Sequence, residues 1–475
     1  MTVSDETLAR LKQAAGPRGY LDDPEAIAPY CTPFRDGWVG ETPLVLRPDT
    51  TEMVAALVRI CAETGTPIVP QGGNTGMTGG GLPHLGGDEV ILSTGRLNRI
   101  RGIDPLNDTI TAEAGVVLAD IRGAADGVDR LFPLLLGAQG SCQIGGNLST
   151  NAGGINVVRY GNARSMVLGL EVVTGDGEVW DGLRALRKDN AGYDLKHIFI
   201  GAEGTLGIIT AAVLRLVARP RERQTALVEV ADPQAAVELL ARLRGAMGDV
   251  VSAFELMHRN CFTLATRTLG HADPMPGQRP WRVLLDLTGQ QPPGALREPL
   301  EDALADALEA GLVSDAIVAA SGAQADALWR IREDQAEVQR QAGKGIKHDI
   351  SVPVSLVPDF IARADAAMER AYPGHVVCTF GHLGDGNIHY NPIEPPGWEQ
   401  ARWVAETGPI NRIVHDIVAD LGGSITAEHG VGRLRLAELV HYKSAVEIDL
   451  MRRLKRAFDP ANILNPGKVL PAQGG

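Results

Sequence analysis

A chain of 475 residues is long enough for two or three domains, and 44% hydrophobic with 22% charged residues is ordinary for a globular protein. A net charge of −13 argues against nucleic acid as a partner and offers no basic patch to anionic lipid. The five cysteines, Cys31, Cys61, Cys142, Cys261 and Cys378, are far apart and odd in number, which excludes a disulfide framework and a Cys-x-x-Cys site and favours a reducing compartment. The start, Met1-Thr2-Val3-Ser4-Asp5-Glu6, is polar and acidic with no signal-peptide apolar core, and no run of about 18 apolar residues suggests a membrane span. A cytoplasmic protein is expected.

In chain order, residues 5–30 predict a short helix and a loop, and 42–48 a short strand between prolines. Asp49-Thr50-Thr51-Glu52 supplies capping residues for a helix whose periodicity runs over 53–61 and which Gly65 ends. A strand over 67–70 enters the first glycine cluster, Gln71-Gly72-Gly73-Asn74-Thr75-Gly76-Met77-Thr78-Gly79-Gly80-Gly81. A Rossmann fingerprint needs a helix directly after its glycines. Gly79-Gly80-Gly81-Leu82-Pro83 cannot start a good one, so the cluster reads as a loop whose backbone N–H groups line a phosphate, or else as a plain glycine-rich turn. Strands over 90–93 and 109–116 and a helix over 118–126 lead to a second cluster at 137–154. It holds six glycines in eighteen residues, too many for an ordinary core element and suited to close backbone approach to a large polar ligand. A hairpin over 168–180 turns on Gly175-Asp176-Gly177, and a third glycine-bearing segment, 199–210, again leads into a strand.

A charged, proline-containing linker at 218–223 marks a boundary. Beyond it, strands over 225–230, 250–256, 281–287 and 315–319 and helices over 233–244 and 295–310 alternate as βαββαβ, a ferredoxin-like antiparallel unit read as scaffold and cap. A helix over 324–341 carries Trp329, Arg330 and Arg332. Residues 345–354 are extended, 355–372 an amphipathic helix, and 379–391 a hairpin with Asp385-Gly386 as its turn signal. Centred between Asp385 and Gly386, the turn pairs Leu383 with Ile388 and sets His382 opposite His389. Two imidazoles so placed can close on one metal ion, and Asn391 shares their face as a polar contact. Taken alone, the hairpin reads equally as one with two surface histidines. A helix over 398–421 runs into Ala427-Glu428-His429-Gly430-Val431-Gly432, and a last helix reaches Phe458. A metal on two histidines wants a third, often acidic, ligand, for which Glu428 is the candidate. Neighbours in an extended chain point opposite ways, so one of Glu428 and His429 can bind metal while the other faces the reacting carbon.

Two sets of motifs carry a family resemblance. Pro70-Gln71-Gly72-Gly73-Asn74-Thr75-Gly76, the 140–154 segment and Gly201-Ala202-Glu203-Gly204-Thr205-Leu206-Gly207-Ile208, in that order, resemble the FAD-binding domain of the vanillyl-alcohol oxidase type. The resemblance implies an α+β domain of two subdomains with FAD between them. Its cofactor-binding candidates are Pro70, Gln71, Gly72, Gly73, Asn74, Thr75, Gly76, Gly140, Ser141, Ile144, Gly145, Asn147, Thr150, Asn151, Glu203, Gly207, Ile208, Ile209 and Asn465. Covalent members often carry histidine in the first loop; Asn74 there implies non-covalent FAD. The hairpin and the Glu-His segment resemble the C-terminal half of the FAD-linked D-2-hydroxyacid dehydrogenases, among them the D-lactate and D-2-hydroxyglutarate enzymes, whose metal is zinc. This second likeness spans about residues 43–471.

It implies His382, His389 and Glu428 as zinc ligands, His429 as catalytic base, and Arg332, Lys347, Asn391, His382 and His429 as substrate contacts. Lys347 stands where the hydroxyglutarate enzymes carry lysine and favours D-2-hydroxyglutarate, or D-malate, over D-lactate. Ala336 departs from the hydroxyl-bearing residue of that type, which would loosen selection by length. The expected layout is an FAD-binding domain over 1–218, an antiparallel-sheet substrate and cap domain with the metal hairpin over 219–425, and a small helical segment over 426–475 completing the active site. With no nicotinamide fingerprint, the electron acceptor is expected to be an electron-transfer flavoprotein, a quinone or a cytochrome; family members are often homodimers. Alternatives are a flavin oxidase on the same fold, a zinc hydrolase with a vestigial nucleotide domain, which leaves the three glycine loops unexplained, and a non-catalytic FAD-binding subunit.

Overall fold

The computed structural model describes residues 3–34, 37–275, 277 and 279–471. They divide into two compact units: Met1–Gly153, Asn162–Arg219 and Glu428–Gly475 form the first, Gly154–Gly161 and Pro220–Ala427 the second. The C-terminal stretch thus folds, from Glu428 onward, with the glycine loops.

The strands of the first unit are β1 (Tyr20–Leu21), β2 (Val45–Leu46), β3 (Ile68–Gln71), β4 (Val90–Ser93), β5 (Ile100–Asp104), β6 (Thr109–Glu113), β7 (Arg130–Leu131), β8 (Val167–Val173), β9 (Val179–Gly182), β10 (Ile208–Arg215) and β11 (Val217–Ala218). One sheet has the order β1-β2-β4-β3, with β2 and β3 both parallel to β4. A second, antiparallel throughout, has the order β5-β6-β10-β8-β9, and β7 pairs with β11. Parallel strands need a crossover, and the helix Thr51–Thr64 provides it from β2 to β3, which flank β4. The Thr50 side chain accepts from the Met53 N–H at 3.1 Å to start that helix, and Gly65, at φ +66°, ends it. Its apolar stripe, Val54, Leu57, Val58 and Cys61, is fully buried in a core shared with Leu46, Ile68 and Leu92 of one sheet and Val173 and Ile208 of the other. The chain end returns to this core. Ile68 N–H donates to Ile463 O (2.7 Å) and Asn465 N–H to Ile68 O (2.8 Å), laying the C-terminal residues beside β3.

The second unit is built on β12 (Glu222–Val230), β13 (Val251–His258), β14 (Trp281–Gly289), β15 (Val313–Val318), β16 (Asp349–Ser351), β17 (Thr379–His382) and β18 (Asn387–Tyr390). They form one sheet, β15-β12-β14-β13-β17-β18-β16, with every neighbouring pair antiparallel. The first four strands, with the helices Pro233–Met247 and Arg297–Glu309, follow the ferredoxin-like βαββαβ order, with a further helix, Arg259–Leu269, inserted between β13 and β14. The histidine hairpin then extends that sheet along β13.

Three local expectations change. The 324–341 helix is two helices, Gly322–Glu333 and Gln335–Ala342, broken at Asp334, whose carboxylate meets His271 Nε2 at 2.8 Å. The 398–421 helix is likewise two, Gln400–Ala405 and Thr407–Asp420, broken at Glu406, which accepts the Tyr372 hydroxyl at 2.8 Å. At each break the residue between the helices also makes a side-chain contact to a residue far away in sequence. The second glycine cluster is not loop throughout. Ile144–Ser149 is a short helix, because Ile144 and Leu148 have a buried apolar site to fill.

Candidate active site and cofactor loops

β17 and β18 pair Phe380 with His389, Gly381 with Ile388 and His382 with Asn387. His382 therefore lies opposite Asn387, and the turn is centred one residue earlier than the Asp385-Gly386 signal predicts. The cause is the carbonyl of His382, which accepts from both Asp385 N–H and Gly386 N–H at 3.1 Å and closes the loop on residues 383–386. Asp385 Oδ1 accepts from Asn387 N–H at 3.0 Å and fixes the exit. Moving the centre by one residue moves every partner by two, so the faces are kept. His382 and His389 become diagonal neighbours on one face, ring centroids 5.7 Å apart.

Beneath His382 lies a residue that sequence reasoning missed. Glu255 of β13, fully buried, sets Oε1 2.5 Å from His382 Nδ1 and accepts from Arg332 Nε at Oε2, 2.6 Å away. Arg332 also covers the Phe380 ring at 4.7 Å. Burial pushes the Glu255 carboxyl up, but Arg332 and then His382 more than offset it and hold it at about 2. The signal was there: Glu255 is a lone carboxylate inside the apolar run Ala253-Phe254-Glu255-Leu256-Met257, and such a residue is buried only with partners. A carboxylate on Nδ1 leaves Nε2 as the ligating nitrogen of His382, the arrangement usual for metal-binding histidine. On that count, the hairpin pair fits a divalent metal.

The other predicted contacts on this unit are placed as follows. His389 Nδ1 is 3.9 Å from Asp349 Oδ1, and Asp349 also accepts from Asn387 Nδ2 at 2.9 Å. Asn391 is buried; its Oδ1 accepts from His348 N–H and its Nδ2 donates to Gln339 Oε1, both at 3.0 Å. Lys347, two residues before β16, is exposed. Ala427 N–H donates to Asp349 O at 2.9 Å, so the chain runs along β16 immediately before Glu428.

In the first unit, Glu428 Oε1 lies 3.8 Å from His429 Nε2. The segment is clamped from two sides. The His429 carbonyl accepts from Thr78 Oγ1 at 3.3 Å, and Glu203 accepts from Val431 N–H (2.7 Å) and Gly432 N–H (2.8 Å). Burial raises the Glu203 carboxyl above its ordinary value, with those two N–H donors working against the rise. Gly432 has φ +50°, and a Cβ there would meet Thr78 O at 2.3 Å, so only glycine allows this approach.

The three glycine loops, far apart in sequence, meet. A Cβ on Gly73 would lie 2.1 Å from Ser141 O, so the first loop presses backbone to backbone on the second. The third hangs on the second through Gly201 N–H to Leu148 O (3.0 Å) and Glu203 N–H to Ser149 O (2.8 Å). Asn465 Nδ2 donates to Gly80 O (2.9 Å) and Glu203 O (2.8 Å), tying the first loop to the third. Several predicted cofactor residues have side chains committed to the loops themselves. Gln71 donates to Tyr30 O and Gly81 O, Asn74 to Thr32 O, and Asn151 accepts from Arg164 N–H. Ser141 and Thr150 bond local carbonyls, Gly145 and Gly207 sit against Ala114 and Val172, and Ile144, Ile208 and Ile209 are core. A ligand would then be met mainly by backbone. Nothing lies within 4 Å of a Cβ built on Gly76, Gly140 or Gly146. Among the described residues, Asn147 Oδ1 and Asn465 Oδ1 are buried acceptors with no donor. Open backbone beside orphaned acceptors fits a large polar cofactor such as FAD.

Comparison with known proteins agrees. The family model for the C-terminal domain of FAD linked oxidases matches residues 219–469, and that for an FAD binding domain matches 42–182. The mitochondrial D-2-hydroxyglutarate dehydrogenase of Bos taurus is 38% identical over 469 residues, 99% of this chain and 84% of that protein. The D-2-hydroxyglutarate dehydrogenase of Xanthomonas citri pv. viticola is 35% identical over 469 residues, 98% of this chain and 97% of that one. The chain belongs to the FAD-linked D-2-hydroxyacid dehydrogenase family. It is an FAD-dependent oxidoreductase. Its fold is that of the vanillyl-alcohol oxidase type: p-cresol methylhydroxylase with substrate bound superposes with a TM-score of 0.76 at 18% identity, over 98% of this chain and 96% of that one. Among the described residues, no helix of this dehydrogenase is long and apolar enough to cross a membrane.

Proposed function

We propose that this dehydrogenase oxidises D-2-hydroxyglutarate to the 2-oxo acid, with D-malate as a shorter substrate. The observation that carries the proposal is the row Arg332–Glu255–His382, with His389 beside it on one face of the second unit. A guanidinium and two imidazoles together answer the carboxylate and the neighbouring hydroxyl of a 2-hydroxy acid. The D-2-hydroxyglutarate dehydrogenases named among the relatives support the choice of acid. Arg332 grips the C1 carboxylate bidentately, Lys347 draws the distal carboxylate, and Asn391 is a further polar contact. His382, His389 and Glu428 would hold zinc, which would supply a Lewis acid for the hydroxyl. FAD, held non-covalently by the glycine loops, supplies the two-electron acceptor. The His429 imidazole takes the hydroxyl proton as the C2 hydrogen departs with its electron pair. Electrons pass on to an electron-transfer flavoprotein, a quinone or a cytochrome, and the five buried free cysteines support a reducing, cytoplasmic setting.

The test is anaerobic bleaching of the visible flavin absorbance by D-2-hydroxyglutarate, D-malate and D-lactate, with and without a chelator. D-2-hydroxyglutarate should bleach fastest, and chelation should stop bleaching without releasing flavin. Preference for D-lactate would remove the role of Lys347, and full activity after metal removal would remove the metal. Rapid reoxidation in air would make the enzyme an oxidase.

A further inference from the structure

Glu255 touches no reacting atom in the reaction just described, yet both of its oxygens are engaged by residues assigned to it. It is fully buried, on a strand whose neighbours in sequence are apolar. Its two oxygens are divided between two partners that come from different elements and have different tasks. Oε2 accepts from Arg332 Nε of the helix Gly322–Glu333 (2.6 Å), and Oε1 lies 2.5 Å from Nδ1 of His382, which is paired directly with Glu255 across the β13–β17 ladder. A buried carboxylate is retained only where its partners fully satisfy it. We propose that Glu255 is a positioning residue that couples the substrate-carboxylate contact to the metal ligand. It holds the proton of His382 on Nδ1, so that Nε2 faces the ion, and it holds Arg332 at Nε, so that the terminal nitrogens face the substrate. The proposal rests on the metal and substrate roles given above to His382 and Arg332.

The chemistry makes a distinctive prediction for Glu255→Gln. An amide offers one oxygen and one NH2. Arg332 can only donate and therefore takes the oxygen. The NH2 then faces His382 Nδ1, which has to accept and must carry its proton on Nε2, the nitrogen that a metal requires. The loss is thus of tautomer as well as of charge, and it reaches the zinc and the substrate together.

The measurements are made on purified, FAD-loaded protein. Zinc affinity is read by competition with a chromophoric chelator, and 2-oxoglutarate affinity from its perturbation of the flavin spectrum. For E255Q, zinc binding should weaken about 10- to 100-fold, and 2-oxoglutarate binding should weaken with it at saturating zinc, while flavin content and far-UV circular dichroism stay at wild-type values. E255D keeps the charge but is one methylene too short to reach both partners; it should weaken zinc or 2-oxoglutarate binding and decides the matter if E255Q does not fold. Wild-type affinities for both ligands in either folded variant would overturn the coupling. A wild-type protein that binds no zinc would instead overturn the metal role itself, so the two failures are told apart.

Discussion

Arg332 and Lys347 are both proposed to meet substrate carboxylates, but their surroundings differ. Arg332 is fixed by Glu255 on one side and by the Phe380 ring, 4.7 Å away, on another. Its rotamer is chosen before a ligand arrives, which lowers the ordering cost of binding. Lys347 is exposed on the segment leading into β16, and it offers a point charge on a four-carbon stem. A charge-assisted bond from it to the second carboxylate is worth about 1.5–3 kcal/mol. Lys347→Ala should therefore lower kcat/KM for D-2-hydroxyglutarate about 10- to 100-fold and leave D-lactate, which has no second carboxylate, nearly unchanged. Steady-state kinetics on both acids checks this, and an equal loss on both would assign Lys347 to the fold instead.

At the scale of elements, the hairpin shows how a turn can be misplaced while the face it presents is kept. The Asp385-Gly386 signal is real. Gly386 has φ +84° and fits where a Cβ would stand 2.1 Å from Val352 O. The turn is nonetheless closed by the His382 carbonyl one residue earlier. Gly386→Ala meets both the left-handed backbone and the Val352 carbonyl, and should cost about 1–3 kcal/mol from the backbone alone. The urea midpoint is expected to fall with its slope unchanged, and zinc content to fall with it, because the same loop sets His382 against His389. An alanine variant of wild-type stability would show that the approach to Val352 is not required. The residues at the two helix breaks, Asp334 and Glu406, each contact a residue far away in sequence.

At the scale of the molecule, the first unit is pinned by buried carboxylates as well as by its core. Glu171 accepts from Arg101, Thr51 and Thr210 inside the five-stranded sheet. Burial works against its ionisation, but the Arg101 bonds and the two hydroxyls overcome it and hold the carboxyl below its ordinary value of 4.5. A carboxyl depressed on folding adds stability that is complete above the unfolded pKa and is lost as pH falls through the folded one. The stability difference between wild type and Glu171→Gln should therefore be largest near neutrality and shrink once pH falls below 4.5. Thermal melts from pH 7 to pH 3 test this, and a difference independent of pH would assign the loss to packing rather than charge. Glu203, raised by burial, has the opposite sign: ionising it in the folded state costs stability, and the N–H donors of Val431 and Gly432 reduce that cost.

From the sequence by itself came whatever local periodicity and backbone chemistry decide. Side chains alternate with period two along a strand, so His382 and His389 share a face whether the turn is centred at Asp385-Gly386 or one residue before. Glycine-rich segments that cannot start a helix must be loops, so the first cluster was legible as a non-Rossmann loop; the capped helix Thr51–Thr64 and the order of the strands β12 to β15 were legible for like reasons. Tertiary structure alone decided what depends on residues far apart in the chain. Glu255 finds His382 across 127 positions and Arg332 across 77, Asn465 joins two glycine loops that precede it by hundreds of residues, and Glu203 accepts from the backbone just after the Glu-His segment. No local pattern encodes such pairs. A buried charge is compatible with folding only beside a partner, and which partner it meets is settled when the sheet assembles.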